Sequence, residues 1–168
     1  MISGRGFPDG GPAATPGPER ILLVGSSGGH LAQLMSLRSW WSAHARAWVT
    51  FPTEDAKANL EAEADVSWAH SPTTRNIPNL LRNARLAYLV IRRFRPTVVV
   101  STGAGSAFPF FVVARAMGIA TVYIEVYDRV ESPTLTGRLC RPFSDLMLVQ
   151  WQEQLGLYRG AQLLGRLL

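Results

Sequence analysis

The stretch Ser26-Ser27-Gly28-Gly29-His30, set behind the apolar run Ile21-Leu22-Leu23-Val24, decides the fold. An uninterrupted apolar run is what a parallel strand covered on both faces requires. The glycines and the ring that follow mark the handover from a first strand to a first helix. In an open α/β sheet that handover lies at the carboxyl ends of the strands, where ligands bind. The helix start also offers backbone N–H groups to a phosphate or sugar oxygen. The stretch is neither the three-glycine dinucleotide fingerprint nor a phosphate loop ending in Lys-Ser/Thr.

Working outward, short apolar runs alternate with longer helical patterns. Strands are expected at 20–24, 47–51, 66–70, 97–101, 121–126 and 146–150, and helices at 31–41, 54–63, 79–94, 108–117 and 135–143, with a last turn or two from Gln152. Right-handed crossovers then build an α/β, three-layer, doubly wound and mostly parallel sheet, Rossmann-like, in one domain over residues 20–168. Thr53 before Glu54 and Asp55 reads as a helix cap, Arg95-Pro96 as a helix end, and Gly118 as a C-terminal cap. Residues 1–19, rich in Pro and Gly, read as a flexible leader.

Composition narrows the function classes. The single Cys140 excludes an internal disulfide framework and cysteine-rich zinc sites, and three scattered histidines give little support to another metal centre. No metal and no cofactor is called for. No run approaches the roughly 18 apolar residues of a membrane span, and no secretion signal is present. Charged residues make up only 17% of the chain, so part of the surface is expected to face a partner or a membrane rather than water. Sixteen of the 17 basic residues are arginine, and no acid falls between Asp65 and Glu125. A field of one sign over that length suits an anionic partner, or is ordinary solubilising charge. Nucleic acid is not favoured, since no readout motif accompanies the arginines.

Three clusters can carry chemistry. His30 at the first loop can donate to a phosphate, accept a hydroxyl proton, or merely cap the helix. The second loop, Ser101-Thr102-Gly103-Ala104-Gly105-Ser106, follows the strand Val98–Val100 and should lie beside the first, with N–H groups from both converging on one ligand. The third cluster is Glu125, Tyr127, Asp128, Arg129, Glu131 and Ser132. There Glu125 is expected in the crevice or paired with an arginine: a proton acceptor, a group orienting His30, or a brace for the Arg129 loop. Arg129 is the expected anion clamp, and Thr134 and Thr136 either cap the next helix or touch ligand. His44 and His70 read as structural. The helix 79–94 mixes Arg82, Arg85, Arg92 and Arg93 with Leu89 and other aliphatics, which suits either an anionic bilayer or a basic helix covering the sheet. Trp40 and Trp41 are further interface candidates.

Six blocks in order add a resemblance: 26–31, Thr73-Thr74-Arg75-Asn76-Ile77, Ser101–Gly105, Tyr123-Ile124-Glu125-Val126-Tyr127-Asp128-Arg129-Val130, Thr134–Leu139 and Val149-Gln150-Trp151. From about Arg20 onward the chain resembles the bacterial capsule and exopolysaccharide glycosyltransferase subunit called PssD-like or CpsF-like. That subunit is similar to the membrane-side subunit of the eukaryotic enzyme that adds the second N-acetylglucosamine to dolichol diphosphate sugar. The resemblance implies the N-terminal half of a MurG-type GT-B glycosyltransferase, docked peripherally on the cytoplasmic face of the membrane. A separate small subunit would carry the other half and the UDP-sugar site. The acceptor would be a polyprenyl-diphosphate-linked saccharide, and the sugar would be transferred with inversion. On that basis Ser27, Gly28, Gly29, Gly103, Ala104, Gly105 and Arg129 are expected to hold acceptor and diphosphate. His30, or second Glu125, is the expected catalytic base, and Arg82, Arg85, Leu89, Arg92 and Arg93 face the membrane. The apolar segment Leu163–Leu168 is the expected partner contact. The eukaryotic relatives' membrane anchor has no counterpart in the polar leader. The rival readings are a non-catalytic, membrane-recruiting scaffold subunit and a stand-alone Rossmann-like nucleotide enzyme. The second is weakened because the strand at 47–51 ends in Pro52 rather than in a ribose-binding acid.

Overall fold

A computed structural model describes residues 19–168, so the expected leader lies outside it except for Glu19. Seven parallel strands are β1 (Arg20–Val24), β2 (Ala45–Thr50), β3 (Val66–Trp68), β4 (Val98–Ser101), β5 (Ala120–Ile124), β6 (Leu146–Val149) and β7 (Gln162–Leu163), in the order β3-β2-β1-β4-β5-β6-β7. The helices are α1 (Gly29–Ser36), α2 (Arg38–Trp41), α3 (Glu54–Asn59), α4 (Ile77–Phe94), α5 (Ala107–Ala116) and α6 (Leu135–Cys140), with 3-10 turns at Arg141–Phe143 and Glu153–Gly156.

The central pair explains why its sequences do not alternate. In β1, Leu22 and Val24 join Val99 in a core built with α4 and α5, while Ile21 and Leu23 join Val100 in a second core with Leu31, Leu34 and Trp41. Both faces are covered, so both side-chain sets are apolar. Strand order reverses between β1 and β4, whose register pairs Leu22 with Val99 and Val24 with Ser101. The two glycine loops leave the sheet side by side at that switch point, as expected.

Several boundaries differ from expectation. The first helix breaks at Leu37 instead of running to Trp41. The break turns Trp41 inward, where its indole N–H donates to the Leu34 carbonyl at 2.9 Å and its ring meets Trp48 edge-on at 5.4 Å. Trp41 is therefore a core residue and not an interface candidate, whereas Trp40 stays exposed. The Thr53 side chain makes no cap bond to α3. The α4 start is capped instead by Asn76, whose side chain accepts from the Asn79 N–H at 2.9 Å. Arg95 ends α4 in the left-handed region, and Gly118 does the same service after α5. The short edge strand β7 was not expected. No helix among the described residues is long and apolar enough to cross a membrane.

Candidate functional site

His30 stands on the first turn of α1 and is tied to the second loop by two bonds that run in opposite directions. Its Nδ1 lies 2.8 Å from the Thr102 carbonyl, and the Thr102 hydroxyl donates to the His30 carbonyl at 2.9 Å. A carbonyl only accepts, so Nδ1 carries the proton and Nε2 of the neutral ring keeps its lone pair. The ring borders a cavity of about 210 Å³ with Ala104, Tyr123, Val126, Asp128, Arg129, Thr134 and Thr136 on its walls. Of the expected site residues, His30, Ala104 and Arg129 are thus brought together, and Thr134 and Thr136 join them.

The glycines differ in what they do. Gly103 has φ +110°, and a Cβ there would stand 2.8 Å from the Tyr123 hydroxyl and 3.2 Å from His30 Cε1. Its hydrogen is required for the imidazole to pack. At Gly105 a Cβ would meet Thr73 at 2.5 Å, which ties the block at 73–77 to the second loop. Gly28, with φ +70°, and Gly29 face open space instead. The first loop is not wholly available to an anion, however. The Gly28 N–H donates to Asp55 Oδ2 at 3.2 Å, a partner the sequence reading missed because Asp55 looked like a helix-start acid only. The bond from the Thr53 side chain first, helped by the N–H groups of Gly28 and nearby backbone, outweighs the cost of desolvation and holds the Asp55 carboxyl below its ordinary value of 3.8. The N–H groups of Gly29, His30 and Leu31 have no partner inside the helix, as at any helix start.

Glu125 departs from expectation in its surroundings. Strand β5 ends at Ile124, and Glu125 is fully buried beneath the cavity rather than on its wall. Among the described residues it forms no ion pair with arginine. Its oxygens accept from the Val126 N–H at 3.0 Å, the Thr134 N–H at 3.3 Å, the Thr134 hydroxyl at 3.0 Å and the Tyr158 hydroxyl. Neutral donors thus replace the expected guanidinium, and a fully hydrogen-bonded carboxylate is tolerable in a dry setting. Its charge is felt nearby: burial, with Glu125 second, pushes the Cys140 thiol up to about 12, and burial followed by the same carboxylate raises Tyr123. Gly137 is needed because a Cβ there would strike the Tyr158 hydroxyl and stand 2.6 Å from Glu125 Oε2.

The loop carrying Arg129 is braced from the C-terminal segment. The buried Gln154 amide donates to the Val126 carbonyl at 2.8 Å and the Arg129 carbonyl at 3.0 Å, while its oxygen accepts from the N–H groups of Gln150 and Trp151. Neither Gln154 nor Tyr158 carried any signal in sequence, since both act across more than twenty residues.

On α4 the expected arginines all lie at the surface. Ile77 (68% exposed), Leu81 (65%) and Leu89 (48%) share that surface with them. Arg85 is exposed. Arg82 reaches Asn79 at 3.0 Å, Arg92 lies over the Tyr88 ring, and Arg93 pairs with Asp65. His44 Nδ1 accepts from the Glu19 N–H, and the His70 backbone bonds with Asn83. Among the described residues no three His, Cys, Asp or Glu gather to hold a metal.

Comparison with known proteins places this geometry. The chain is 28% identical to the UDP-N-acetylglucosamine transferase subunit ALG14 of Eremothecium gossypii, over 89% of this chain and 80% of that protein. It is likewise 28% identical to the Homo sapiens protein of the same name, over 88% and 82%. The fold matches the crystal structure of Acinetobacter baumannii MurG with a TM-score of 0.70 at 13% identity, covering 87% of this chain and 45% of that one. The sheet is thus one half of a GT-B-type fold. Residues 21–167 match the family described as "Oligosaccharide biosynthesis protein Alg14 like", and the chain belongs to that family.

Proposed function

We propose that the chain is the acceptor-side subunit of a two-component inverting glycosyltransferase. It would move a sugar from a UDP-sugar to a polyprenyl-diphosphate-linked saccharide, in capsule or exopolysaccharide synthesis, at the cytoplasmic face of the membrane. The observation that carries this reading is the His30 ring, fixed with Nε2 unprotonated beside a cavity that also holds Arg129. The acceptor hydroxyl oxygen attacks the anomeric carbon, the bond to UDP breaks, and the hydroxyl proton passes to His30 Nε2. The Thr102 carbonyl then stabilises the resulting imidazolium through Nδ1–H. Arg129, Ser27 and the backbone around Gly28, Gly29, Gly103, Ala104 and Gly105 hold the acceptor and its diphosphate charge. Glu125, buried with its oxygens engaged, positions the 126–134 loop and Thr134 instead of taking the proton.

The donor half is a second subunit bearing the UDP-sugar site. Leu163 and Leu164, exposed at the β7 edge, and the exposed Leu168 beyond it suit contact with it. Membrane docking falls to the α4 surface, with Arg82, Arg85, Leu89, Arg92 and Arg93 beside Ile77 and Leu81. Each arginine near an anionic surface contributes about 1 kcal/mol. Arg93 contributes least because Asp65 already neutralises it.

One second reading has support of its own: a scaffold subunit that recruits a transferase without touching the reacting atoms. The relatives' name, "transferase subunit", fits it equally well, and burial of Glu125 removes one of the two expected proton acceptors from the cavity wall. The test is UDP release by the chain co-purified with its donor-side subunit and a lipid-diphosphate saccharide. With His30→Ala, a loss of roughly 10²–10⁴-fold supports the acceptor-site reading. Full activity in an intact complex supports the scaffold. Undiminished transfer by this chain alone overturns the two-component reading.

A further inference from the structure

A second, larger cavity of about 520 Å³ opens beside the His30 pocket, on the other side of the 133–138 segment. Its lining is Pro133, Arg138, Arg141, Leu157, Tyr158 and Arg159. Thr134 and Thr136 face the first cavity; Pro133 and Arg138 face this one. Three guanidinium-bearing residues from two chain segments share the groove, and no carboxylate residue lies on its wall.

The charge is uncompensated. Three arginines elsewhere have an acid partner, Arg46 with Glu63, Arg93 with Asp65 and Arg115 with Asp145. Among the described residues none of the ion pairs includes Arg138, Arg141 or Arg159. Like charges gathered without an acid repel one another, and a bound anion relieves that repulsion. The groove is also partly built. An Nη of Arg141 donates to the Arg159 carbonyl, where Gly160 turns the chain at φ +78°. That bond uses one of the five guanidinium N–H donors and leaves the others for a ligand. The Tyr158 hydroxyl is already given to Glu125, so this residue adds ring rather than donor to the groove.

We infer that this groove is a binding site for a phosphate-bearing anion, a phosphomonoester or diphosphate, distinct from the His30 cavity. Several forked donors match the many oxygens and the double charge of such a group better than they match a single carboxylate. Pro133, Leu157 and the Tyr158 ring supply apolar wall beside the charge, which favours a phosphate ester with an apolar substituent. Leu135 (73% exposed) and Leu139 (43%) are further exposed apolar side chains on the same helix as Arg138. The same chemistry is offered by a soluble phosphate compound and by a phospholipid headgroup. The inference does not depend on the transferase reading.

The test has two arms on the full chain. Inorganic pyrophosphate is titrated calorimetrically, and flotation is measured with phosphatidylcholine vesicles with and without phosphatidic acid. The variants are Arg138→Gln with Arg159→Gln, both exposed side chains, and Arg85→Gln with Arg92→Gln on α4 as the control. Thermal unfolding verifies that each variant folds. With Arg129→Gln present throughout to remove the anion contact of the His30 cavity, we expect the groove pair to weaken pyrophosphate binding at least tenfold while the α4 pair leaves it unchanged. If only vesicle binding responds to the groove pair, beyond the loss given by the α4 pair, the site takes a lipid headgroup. If neither pyrophosphate nor vesicle binding responds to Arg138 and Arg159, the site does not exist.

Discussion

His30 and Thr102 each hold the other's main chain: imidazole Nδ1–H to the Thr102 carbonyl at 2.8 Å, and Thr102 hydroxyl to the His30 carbonyl at 2.9 Å. The pair bolts the first glycine loop to the second across the β1–β4 switch point. It also separates two roles that a single mutation would usually confuse. The imidazole is oriented by a backbone group, so removing the Thr102 side chain leaves the tautomer in place. Thr102→Val is expected to cost about 1 kcal/mol of stability for the lost buried bond. The ¹⁵N shifts of the neutral His30 ring should still report a protonated Nδ1 and a bare Nε2. A protonated Nε2 in the neutral ring of the unmodified protein would contradict the assignment.

Gly103 and Gly29 make a matched contrast. Gly103→Ala forces a methyl into the left-handed region and against Tyr123 and His30, so a loss of about 2 kcal/mol or more is expected in urea unfolding. Gly29→Ala places a methyl in open space on a helical residue, so stability should hold or rise slightly. If the acceptor occupies that space, Gly29→Ala weakens acceptor binding in the two-subunit complex although the fold is intact. Unchanged acceptor affinity would remove the first loop from the ligand site.

Much of this architecture was legible in sequence because it is local. The unbroken run at 21–24 announced a strand covered on both faces, and adjacency of the two glycine loops followed from doubly wound topology. Arg129 and Thr134 stood out in sequence because they lie in the segment after a strand, and the structure puts both on the wall of the His30 cavity. What stayed hidden was long-range. Asp55 reaches Gly28 from the next helix, Gln154 and Tyr158 reach back more than twenty residues, and Trp41 turns inward only because α1 breaks at Leu37. Glu125 misled in a specific way. A carboxylate after an apolar strand demands a partner, but a sequence does not say whether the partner is an arginine or a set of neutral donors.

The Asp55–Gly28 contact predicts a pH signature. The folded pKa of Asp55 is lowered, so its ionised form is favoured by folding. That contribution is fully present above the ordinary value of 3.8 and is lost as pH falls through the lower folded value. In urea midpoints, Asp55→Asn should therefore be less stable than the parent at neutral pH. The gap should close on acidification below pH 3.8. The carboxylate is fully exposed to solvent, so added salt should shrink the difference at neutral pH. A gap that persists unchanged into strong acid would mean that the side chain acts by packing and not by charge.

The last prediction concerns the buried pair of Cys140 and Glu125. Only the thiolate reacts with alkylating reagents, and the Cys140 thiol is pushed to about 12, by burial first and by the Glu125 charge second. In the folded protein at pH 8, Cys140 should resist iodoacetamide, and denaturant should restore ordinary thiol reactivity. Because burial is the larger cause, Glu125→Gln in a folded protein should leave Cys140 protected, whereas global or local opening exposes it. The same substitution should be costly, since it removes the acceptor charge shared by Thr134 and Tyr158. Bonds to a charged group contribute about 1.5–3 kcal/mol each. Tyr158→Phe removes one of them, so its loss should be smaller than that of Glu125→Gln. Rapid alkylation of native Cys140 would show that the wall around Glu125 opens readily, and the brace between the C-terminal segment and the 126–134 loop would then fail as an explanation for the shape of the His30 cavity.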